Sequence, residues 1–407
     1  MAQIVPFNAV RPKENLAANF CSKSVEFYAK SELNDILKHN ETSFVHIIKP
    51  NLLKNKSSPP TKRYQAVKKN YESFRQKGVL IKDKKASLYI YEIKNPNHSF
   101  CGILAGISVE DYKNGLIKRH EDTIEKREKI FKNFIKIARF NSEPVLITHN
   151  PSQNLTDLIS EYKTKSPTAE FTTSENECHK LWRIDAPKEI LSIQKEYDTI
   201  SSLYIADGHH RSASSVLLSR EEKSSSDKQR TDYFMGYIIP ENELVIKAYN
   251  RVFSGLNGLS EDEFLGLLKA DFEVYPESNV DSKESSKNSF RMYFKGQFYS
   301  VSLRDITRKR NNPLFGLDAY VLQEFILKPI LGVKNPRNDK RLIYSVNDGG
   351  MLGIKSAVDS EKFTLGFGLK PVTLTQLKMI ADAGLVMPPK STYIFPKLMS
   401  GITIYEF

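Results

Sequence analysis

The segment Ser201–Leu218, SSLYIADGHHRSASSVLL, contains the side chains best suited to chemistry. An apolar run predicts a buried strand that ends near Asp207, and Gly208 separates this strand from a predicted helix. Three polar residues lie at the junction: His209, His210 and Arg211. Backbone N–H groups and the positive end of the helix dipole bind anions at such a junction. A guanidinium pairs with phosphate oxygens and an imidazole moves protons, so the segment predicts a phosphate-binding turn.

This turn could instead be purely structural, because strand–Asp–Gly–helix junctions are common in α/β proteins. The chain has only eight histidines in 407 residues, however, and two of them are adjacent here, beside an arginine. Perturbed titratable groups cluster at functional sites. The composition of the turn therefore favours a functional role over a structural one, and Ser212, the next residue, is included among the candidate phosphate ligands.

Residues 387–398, MPPKSTYIFPKL, form a second candidate. Two prolines predict an extended loop that lacks backbone donors. Lys390, Ser391 and Thr392 then present an ammonium and two hydroxyls, which suit an anion or a hydroxyl-rich ligand. A solvated lysine in a rigid connection is the equally weighted alternative.

A third candidate lies near the N-terminus, in the sequence VRPKENL. Arg11 precedes a proline-stiffened loop, and Glu14 follows it. A carboxylate held against a hydroxyl acts as a general base. A surface glutamate is the alternative, and the residues alone favour it.

The sequence KRHEDT contributes His120, Glu121 and Thr123. We expect a long amphipathic helix from about Val109 to Arg139, on which His120 and Thr123 share one face and either could reach a ligand. Packing is the alternative role for this histidine. The H-E-x-x-H motif of zinc proteases is not completed here.

Composition restricts the class of protein. The three cysteines are scattered and lack metal-ligand spacing, which predicts a reducing, cytoplasmic location and no metal-ligating residues. No apolar stretch reaches the length of a membrane span, so we expect no membrane association. Walker A, complete G-x-G-x-x-G and G-x-S-x-G motifs are absent from the sequence.

The formal net charge of +12 raises the alternative of a nucleic-acid partner. Twelve lysines and arginines fall between Lys49 and Lys85. Val67, Tyr71 and Phe74 within this stretch have helical spacing, which favours core packing over base stacking. A phosphate-binding or solvated surface explains the charge better than nucleic acid does.

Strand and helix patterns alternate along the chain, which predicts a mixed α/β protein. No sharp change in composition marks a domain boundary. We expect two α/β regions, residues 1–240 with the Glu14 segment and the predicted turn, and residues 241–407 ending in the MPPKST segment.

From MAQIVPFNAVRP to MPPKSTYIFPKLMSG, the chain resembles a large bacterial family, domain of unknown function 1015. The segments KRHEDT, NSEPV, LWRI, YIADGHHR, YNRV and ADAG carry this resemblance. Its D-G-H-H-R turn, R-P-K-E-N-L segment and P-K-S-T segment also resemble those of free-serine kinases in the ParB/sulfiredoxin-like superfamily. The stretch CSKSV stands where family members usually have S-P-P-Y-D-V.

The resemblance implies a ParB/sulfiredoxin-like nucleotide-binding core with large insertions. It also implies a kinase that transfers phosphate from ADP or ATP, with Mg²⁺, to a small hydroxyl such as that of L-serine. Glu14, His209 and His210 would then be catalytic, and Thr123 and residues 207–212 would bind the nucleotide phosphates. Substrate-side residues would be Arg11, His120, Glu121, Lys390, Ser391 and Thr392. The alternative is a nucleotide-binding regulatory or DNA-associated ParB-like protein without kinase activity.

Overall fold

The computed structural model describes residues 2–49, 59–222, 231–278, 289–304, 312–346 and 349–407. These residues form two compact units. The first contains the chain up to Arg119, Thr123–Leu244 and Pro396–Phe407, and the second contains His120–Asp122 and Val245–Phe395. The two ends of the chain therefore fold into the same unit, since Val10 and Ile404 exchange backbone hydrogen bonds of 2.9 and 2.7 Å.

Both strands and helices are distributed along the whole chain. Strands β1 to β12 are Ile4–Val5, Val10–Pro12, Leu80–Lys82, Leu88–Lys94, Ser99–Ser108, Ile117–Lys118, Phe140–Asn141, Val145–His149, Ala169–Thr172, Cys178–Ile184, Leu203–Asp207 and Tyr233–Pro240. Strands β13 to β21 are Val245–Lys247, Asn250–Phe253, Phe272–Glu277, Ser289–Phe294, Gln297–Leu303, Leu342–Ser345, Leu365–Gly368, Tyr393–Phe395 and Tyr405–Glu406. The α-helices, numbered α1 to α13, are Ala17–Phe20, Lys30–His39, Val45–Ile48, Pro60–Gln76, Val109–Lys113, Glu125–Ala138, Gln153–Lys163, Pro187–Thr199, His209–Glu221, Glu261–Asp271, Asp318–Leu322, Gly350–Asp359 and Leu374–Asp382. The predicted mixed α/β fold class is confirmed.

The first unit is built on a mixed nine-stranded sheet with the order β6-β11-β8-β12-β5-β4-β10-β9, to which β1 adds by pairing with β5. Strand β11 pairs parallel to β6 and antiparallel to β8. Its residues Leu203, Tyr204, Ile205 and Ala206 are all buried, as their unbroken apolar run predicts. The sheet therefore holds the end of β11, at Asp207, on a rigid support.

Helix α9 follows β11 and most of its residues are buried, its four serines among them. Its hydroxyls would be costly to bury unpaired, and each buried serine bonds to protein. Ser214 and Ser215 donate to the carbonyls of His210 and Arg211 at 2.5 and 3.0 Å, and Ser219 donates to Asp232 at 3.0 Å. Small side chains thus let α9 lie against neighbouring elements without leaving polar atoms unsatisfied.

The predicted long helix from Val109 to Arg139 is wrong. Helix α5 begins after Ser108, whose hydroxyl caps it by accepting from the Asp111 N–H at 3.2 Å, but it ends at Lys113. Strand β6 and a loop intervene before α6 begins at Glu125. Gly115, at φ +74°, ends the first helix, since this conformation favours glycine. His120 and Thr123 therefore lie in a loop and share no helix face.

The second unit contains a six-stranded antiparallel sheet with the order β15-β17-β16-β19-β14-β18. Its core includes Phe253, Phe264, Phe272, Phe290 and Phe367, all almost fully buried. Strands β13 and β20 form a separate two-stranded pair within the same unit. This pair holds the MPPKST segment, which immediately precedes β20.

The basic stretch between Lys49 and Lys85 is described only in part, since residues 50–58 lie outside the described residues. Residues 60–76 of the stretch form helix α4, in which Val67, Tyr71 and Phe74 are buried. Their predicted packing role is confirmed. Residues 220–231 are polar and poor in apolar side chains, which predicts a surface loop, and they also fall mostly outside the described residues. In the described part of the chain, no helix has the length and apolar character needed to cross a bilayer.

Candidate functional site

The turn between β11 and α9, residues Asp207–Arg211, depends on Gly208. This glycine adopts φ +98° and ψ +25° as the residue that caps α9, a conformation that L residues rarely adopt. A Cβ atom there would also lie 2.9 Å from Nε of Arg211. The helix begins at His209, so the three polar residues of the turn form its first turn. The sequence predicted the junction, but its helical pattern is clear only over Ala213–Leu218, which begins four residues after the observed start at His209.

Arg211 folds back over Gly208 and is held there by two carboxylates. Its Nη1 lies 3.1 Å from Oε2 of Glu143, and its Nη2 lies 3.2 Å from Oδ2 of Asp207. The other oxygen of Glu143 accepts a hydrogen bond of 2.7 Å from the Ser400 hydroxyl. The Arg211 side chain is about one-fifth exposed. Arg211 is thus oriented before any ligand binds, and part of it remains accessible.

The first turn of α9 uses its own backbone to close the structure. The N–H groups of Arg211 and Ser212 both donate to the Gly208 carbonyl, at 2.9 and 3.1 Å. The Ser212 hydroxyl donates to the carbonyl of His209 at 2.9 Å. Both Ser212 and His209 are buried. These two candidate residues therefore support the turn from its buried side. Its accessible side is formed by Asp207, His210 and Arg211.

His210 contacts the loop that carries Thr123. Its Nε2 accepts a hydrogen bond of 3.1 Å from the backbone N–H of Ile124. An imidazole nitrogen that accepts cannot carry a proton, so the proton of the neutral ring resides on Nδ1. The Thr123 hydroxyl donates to Glu128 at the start of α6. The structure therefore brings Thr123 beside His210, although no regular helix face joins them.

Glu14 lies just after β2, at the start of the 3₁₀ turn Glu14–Leu16. Its side chain is exposed. Farther along the chain, contacts with the C-terminal segment connect Ser22 to the turn at Asp207–Arg211. Ser22 and Ser400 exchange backbone hydrogen bonds of 3.2 and 2.8 Å, and Ser400 is the residue that contacts Glu143.

Arg11 is placed in a different setting from Arg211. It is buried, and its guanidinium makes three contacts of 3.1–3.2 Å with the carboxylate of Asp83. Asp83 also accepts from the hydroxyl of Tyr89 at 2.9 Å and from Arg183 at 3.3 Å. We call Arg11, Asp83, Tyr89 and Arg183 the Asp83 cluster. Its donors and acceptors are directed at one another.

His120 and Glu121 belong to the second unit, where they contact the segment before Lys390. The N–H of Met387 donates to the carbonyl of His120 at 2.9 Å, and Glu121 forms a parallel bridge with Met387. His120 is buried. The structure therefore brings two of the predicted substrate-side regions together within this unit.

Lys390, Ser391 and Thr392 form a bend before β20. Lys390 has φ +57°, and its ammonium lies 5.2 Å from the ring centre of Tyr249, a cation–π contact. The Ser391 hydroxyl donates to the carbonyl of Pro388 at 2.8 Å and is buried. Thr392 is partly exposed.

Glu143 contacts the turn through Arg211, and the sequence did not identify it as a site residue. It directly precedes Pro144 and strand β8, in the segment NSEPV that supports the family resemblance. An acidic residue beside a proline at a strand start is a signal for this position, but an arginine partner 68 residues away is visible only in the fold. Among the described residues, no group of three or more His, Cys, Asp or Glu side chains is arranged to hold a metal ion.

The family model described as protein of unknown function, DUF1015, matches residues 4–320. The chain belongs to the DUF1015 family. No curated protein matches this DUF1015 member. Similar solved structures include free serine kinase in complex with AMP, with 13% identity and a TM-score of 0.38, covering 74% of this chain and 92% of that one.

Two further solved structures are similar to this DUF1015 chain. A conserved hypothetical protein from Pyrococcus furiosus has 12% identity and a TM-score of 0.36, covering 74% of this chain and 95% of that one. SbnI with a C-terminal truncation, from Staphylococcus aureus, has 12% identity and a TM-score of 0.37, covering 74% of this chain and 87% of that one. At these values the three structures do not define the activity of the DUF1015 chain.

Proposed function

We propose that this protein is a nucleotide-dependent kinase that transfers a phosphoryl group to the hydroxyl of a small molecule such as L-serine. One observation carries the proposal. A glycine in the left-handed conformation directs Arg211 across the N-terminal end of the 13-residue helix α9. A helix N-terminus and a fixed guanidinium both favour phosphate oxygens.

The nucleotide phosphates would bind against Asp207–Arg211, with Thr123 at the side where His210 contacts the loop. Arg211 would stabilise the charge that develops on the transferred group and on the leaving phosphate. His210 would hold the loop that carries Thr123 through its Nε2 and would present its Nδ1 proton to a phosphate oxygen. His209 and Ser212 would support the turn from its buried side.

Glu14 would act as the general base in this reaction. Its carboxylate would take the hydroxyl proton of the substrate while the substrate oxygen forms a bond to the terminal phosphorus. The bond between that phosphorus and the bridging oxygen of the nucleotide breaks, and the shortened nucleotide leaves with the electron pair. An exposed carboxylate suits this role because it can meet a substrate that comes from solvent.

Mg²⁺ fits the charges at the turn. Asp207 and Glu143 carry two negative charges against the one positive charge of Arg211, so a polyphosphate needs a further cation. Mg²⁺ commonly binds through one or two carboxylates together with phosphate oxygens and water. Asp207 and Glu143 are the side chains that would face it, and the ion would neutralise part of the phosphate charge.

A cytoplasmic location, where ADP and ATP are abundant, fits the three free cysteines.

Thermal unfolding with ADP, ATP, CTP and GTP, each with and without Mg²⁺, tests nucleotide binding, because a ligand of the folded state raises Tm. We expect one adenine nucleotide to raise Tm in the wild type and not in Arg211→Ala. Arg220→Ala is the matched control, since Arg220 lies in the last turn of the same helix. No shift with any nucleotide would contradict the proposal.

Phosphoryl transfer needs a separate measurement with L-serine and the nucleotide that binds. Glu14→Gln is expected to abolish turnover and leave the nucleotide-induced rise in Tm unchanged. Full activity in Glu14→Gln would refute its role as the base. Nucleotide binding without transfer to any hydroxyl substrate would favour the regulatory alternative, and a salt-sensitive shift of duplex DNA would favour its DNA-associated form.

A further inference from the structure

The second unit contains a cavity of about 150 Å³. Six of its lining residues define its chemistry: Ala248, Arg251, Leu317, Asp318, Gln376 and Ser391. A cavity of roughly this volume accommodates a molecule the size of benzene. Its walls therefore fit a ligand of about the size of alanine or serine. We call it the Arg251 cavity.

Arg251 supplies a positive charge that the surrounding protein does not neutralise directly. The residue is 3% exposed. Its Nη2 donates to the carbonyl of Lys390 at 2.9 Å and its Nη1 donates to the carbonyl of Tyr249. The carboxylate that acts on this guanidinium is that of Asp318, and the two form no ion pair. Two carbonyl dipoles thus hold a buried cation in place without an ion pair.

Asp318 supplies a negative charge to the same cavity. It is 8% exposed, and its Oδ2 accepts a hydrogen bond of 3.0 Å from the backbone N–H of Lys370. The Lys370 ammonium also acts on this carboxylate from nearby. Asp318 and Arg251 influence each other electrostatically but form no direct salt bridge.

Burial disfavours the charged form of both groups. It lowers the pKa of Arg251 to about 10 and raises the pKa of Asp318 above its ordinary value. The facing groups are Tyr249 and Tyr344 for Arg251, and Lys370 for Asp318. A buried charge is stabilised when it gains a hydrogen-bonded partner of opposite sign. A ligand with one group of each sign would therefore stabilise both residues at once.

We propose that the Arg251 cavity binds a small zwitterion, a free α-amino acid by class, with its carboxylate on Arg251 and its ammonium on Asp318. An α-amino acid carries one charge of each sign, and the cavity presents a partner for each. The apolar lining from Ala248 and Leu317 favours a small side chain. The inference does not rest on the proposed kinase activity, because it is argued from the contacts of Arg251 and Asp318; Ser391, an expected substrate-side residue, only lines the same cavity.

Isothermal titration calorimetry of the full chain, without nucleotide, tests the proposal. The probes are L-alanine, L-serine, propanoate and ethylamine. L-alanine and L-serine are expected to bind, and propanoate is expected to bind at least about tenfold more weakly because it lacks the ammonium. Equal affinity for propanoate and L-alanine, or no binding of either amino acid, would overturn the proposal. This comparison needs no variant.

Two variants then locate the site. Asp318→Asn keeps an oxygen for the Lys370 N–H and is expected to reduce L-alanine affinity about tenfold while propanoate affinity stays unchanged. Ala248→Leu fills the cavity and is expected to abolish binding of both. Asp359→Asn, on α12 of the same unit, is the matched control and should bind as the wild type does. Unchanged L-alanine binding in both cavity variants would refute the assignment. Far-ultraviolet circular dichroism verifies that each variant is folded.

Discussion

Arg11 and Arg211 both lie in the first unit and both contact carboxylates, yet their surroundings differ. In the Asp83 cluster, the Arg11 guanidinium is buried against Asp83. The same carboxylate accepts a hydrogen bond from Tyr89 and pairs with Arg183. At the turn, Arg211 is partly exposed and shared between Asp207 and Glu143. A buried cation whose carboxylate partner already has several hydrogen-bond donors contributes to the fold. A partly exposed cation between two carboxylates can instead give up one of these contacts to bind a ligand. Arg211 is therefore the better candidate for phosphate binding.

The largest decrease in the free energy of unfolding is expected for a substitution in the Asp83 cluster. Asp83→Asn removes the charge that compensates Arg11 and Arg183, and breaking a buried ion pair costs about 4 kcal/mol. Urea unfolding followed by the fluorescence of Trp182, the single tryptophan, measures the free energy of unfolding. Glu170→Gln removes a half-exposed partner of Lys180 and is the control, expected near wild type. A nucleotide-induced Tm rise lost in Asp83→Asn would show that the cluster also belongs to the site.

The buried side chain of His179, also in the first unit, makes the free energy of unfolding depend on pH. His179 is buried, stacks on Phe171 at 5.0 Å between ring centres, and bonds to the Tyr91 hydroxyl at 2.8 Å. Burial lowers its pKa from 6.5 to about 4. Between these values the unfolded chain binds a proton that the folded protein does not, so stability falls as pH falls. At about 1.4 kcal/mol for each pH unit, the loss reaches about 3 kcal/mol.

Urea unfolding at several pH values between 7 and 4 checks this dependence. The free energy of unfolding of wild type and His179→Gln should converge as the pH decreases, because the variant has no imidazole to protonate. Parallel curves for the two proteins across this range would contradict the assignment.

Gly208→Ala tests the turn. We expect it to reduce the free energy of unfolding less than the substitutions above and to abolish nucleotide binding. Its φ of +98° should cost about 1–2 kcal/mol with any L residue, and its Cβ would displace Arg211. Gly115→Ala is the matched control, because Gly115 has φ +74° and nothing within 4 Å of the added Cβ. Both variants should lose similar stability, but only Gly208→Ala should lose nucleotide binding. Equal nucleotide binding in the two would show that Arg211 does not need its present position.

The smallest stability effect is expected for Glu143→Gln, since the Arg211 pair is partly exposed and such pairs contribute about 0.5 kcal/mol. The substitution removes one negative charge beside Arg211. ADP should therefore bind more tightly in the absence of Mg²⁺, and the added benefit of Mg²⁺ should decrease. Calorimetric titration with ADP, with and without Mg²⁺, measures both. Weaker ADP binding without Mg²⁺ would mean that Glu143 is needed to hold Arg211 rather than to balance its charge.

The sequence was most informative where local chemistry determines structure. The apolar run Leu203–Ala206 forms a buried strand, and the following Asp-Gly forms the turn. Ser260 caps α10 by accepting from the Glu263 N–H at 3.3 Å, and the pattern of a serine followed three residues later by a glutamate predicts such a cap. The helical spacing of Val67, Tyr71 and Phe74 identified them as core residues. These features depend on neighbours within a few positions, so local propensity is sufficient to predict them.

The prediction failed where local pattern and tertiary context compete. Residues 109–139 have helical composition throughout, but strand β6 pairs with β11 and interrupts them. A strand of two residues leaves almost no periodic signal, and its partner lies far along the chain. The residues His120 and Thr123 therefore lost the common face that a continuous helix would have provided.

The amino-acid sequence by itself determined the mixed α/β class, the strand–glycine–helix turn and the residue types available at it. Tertiary structure alone decided which arginine is enclosed and which stays accessible, because Asp83 and Glu143 reach their partners across 72 and 68 residues. It likewise decided that Arg251 and Asp318 line one cavity. Contacts of this kind depend on how distant segments pack, which residue order does not encode locally.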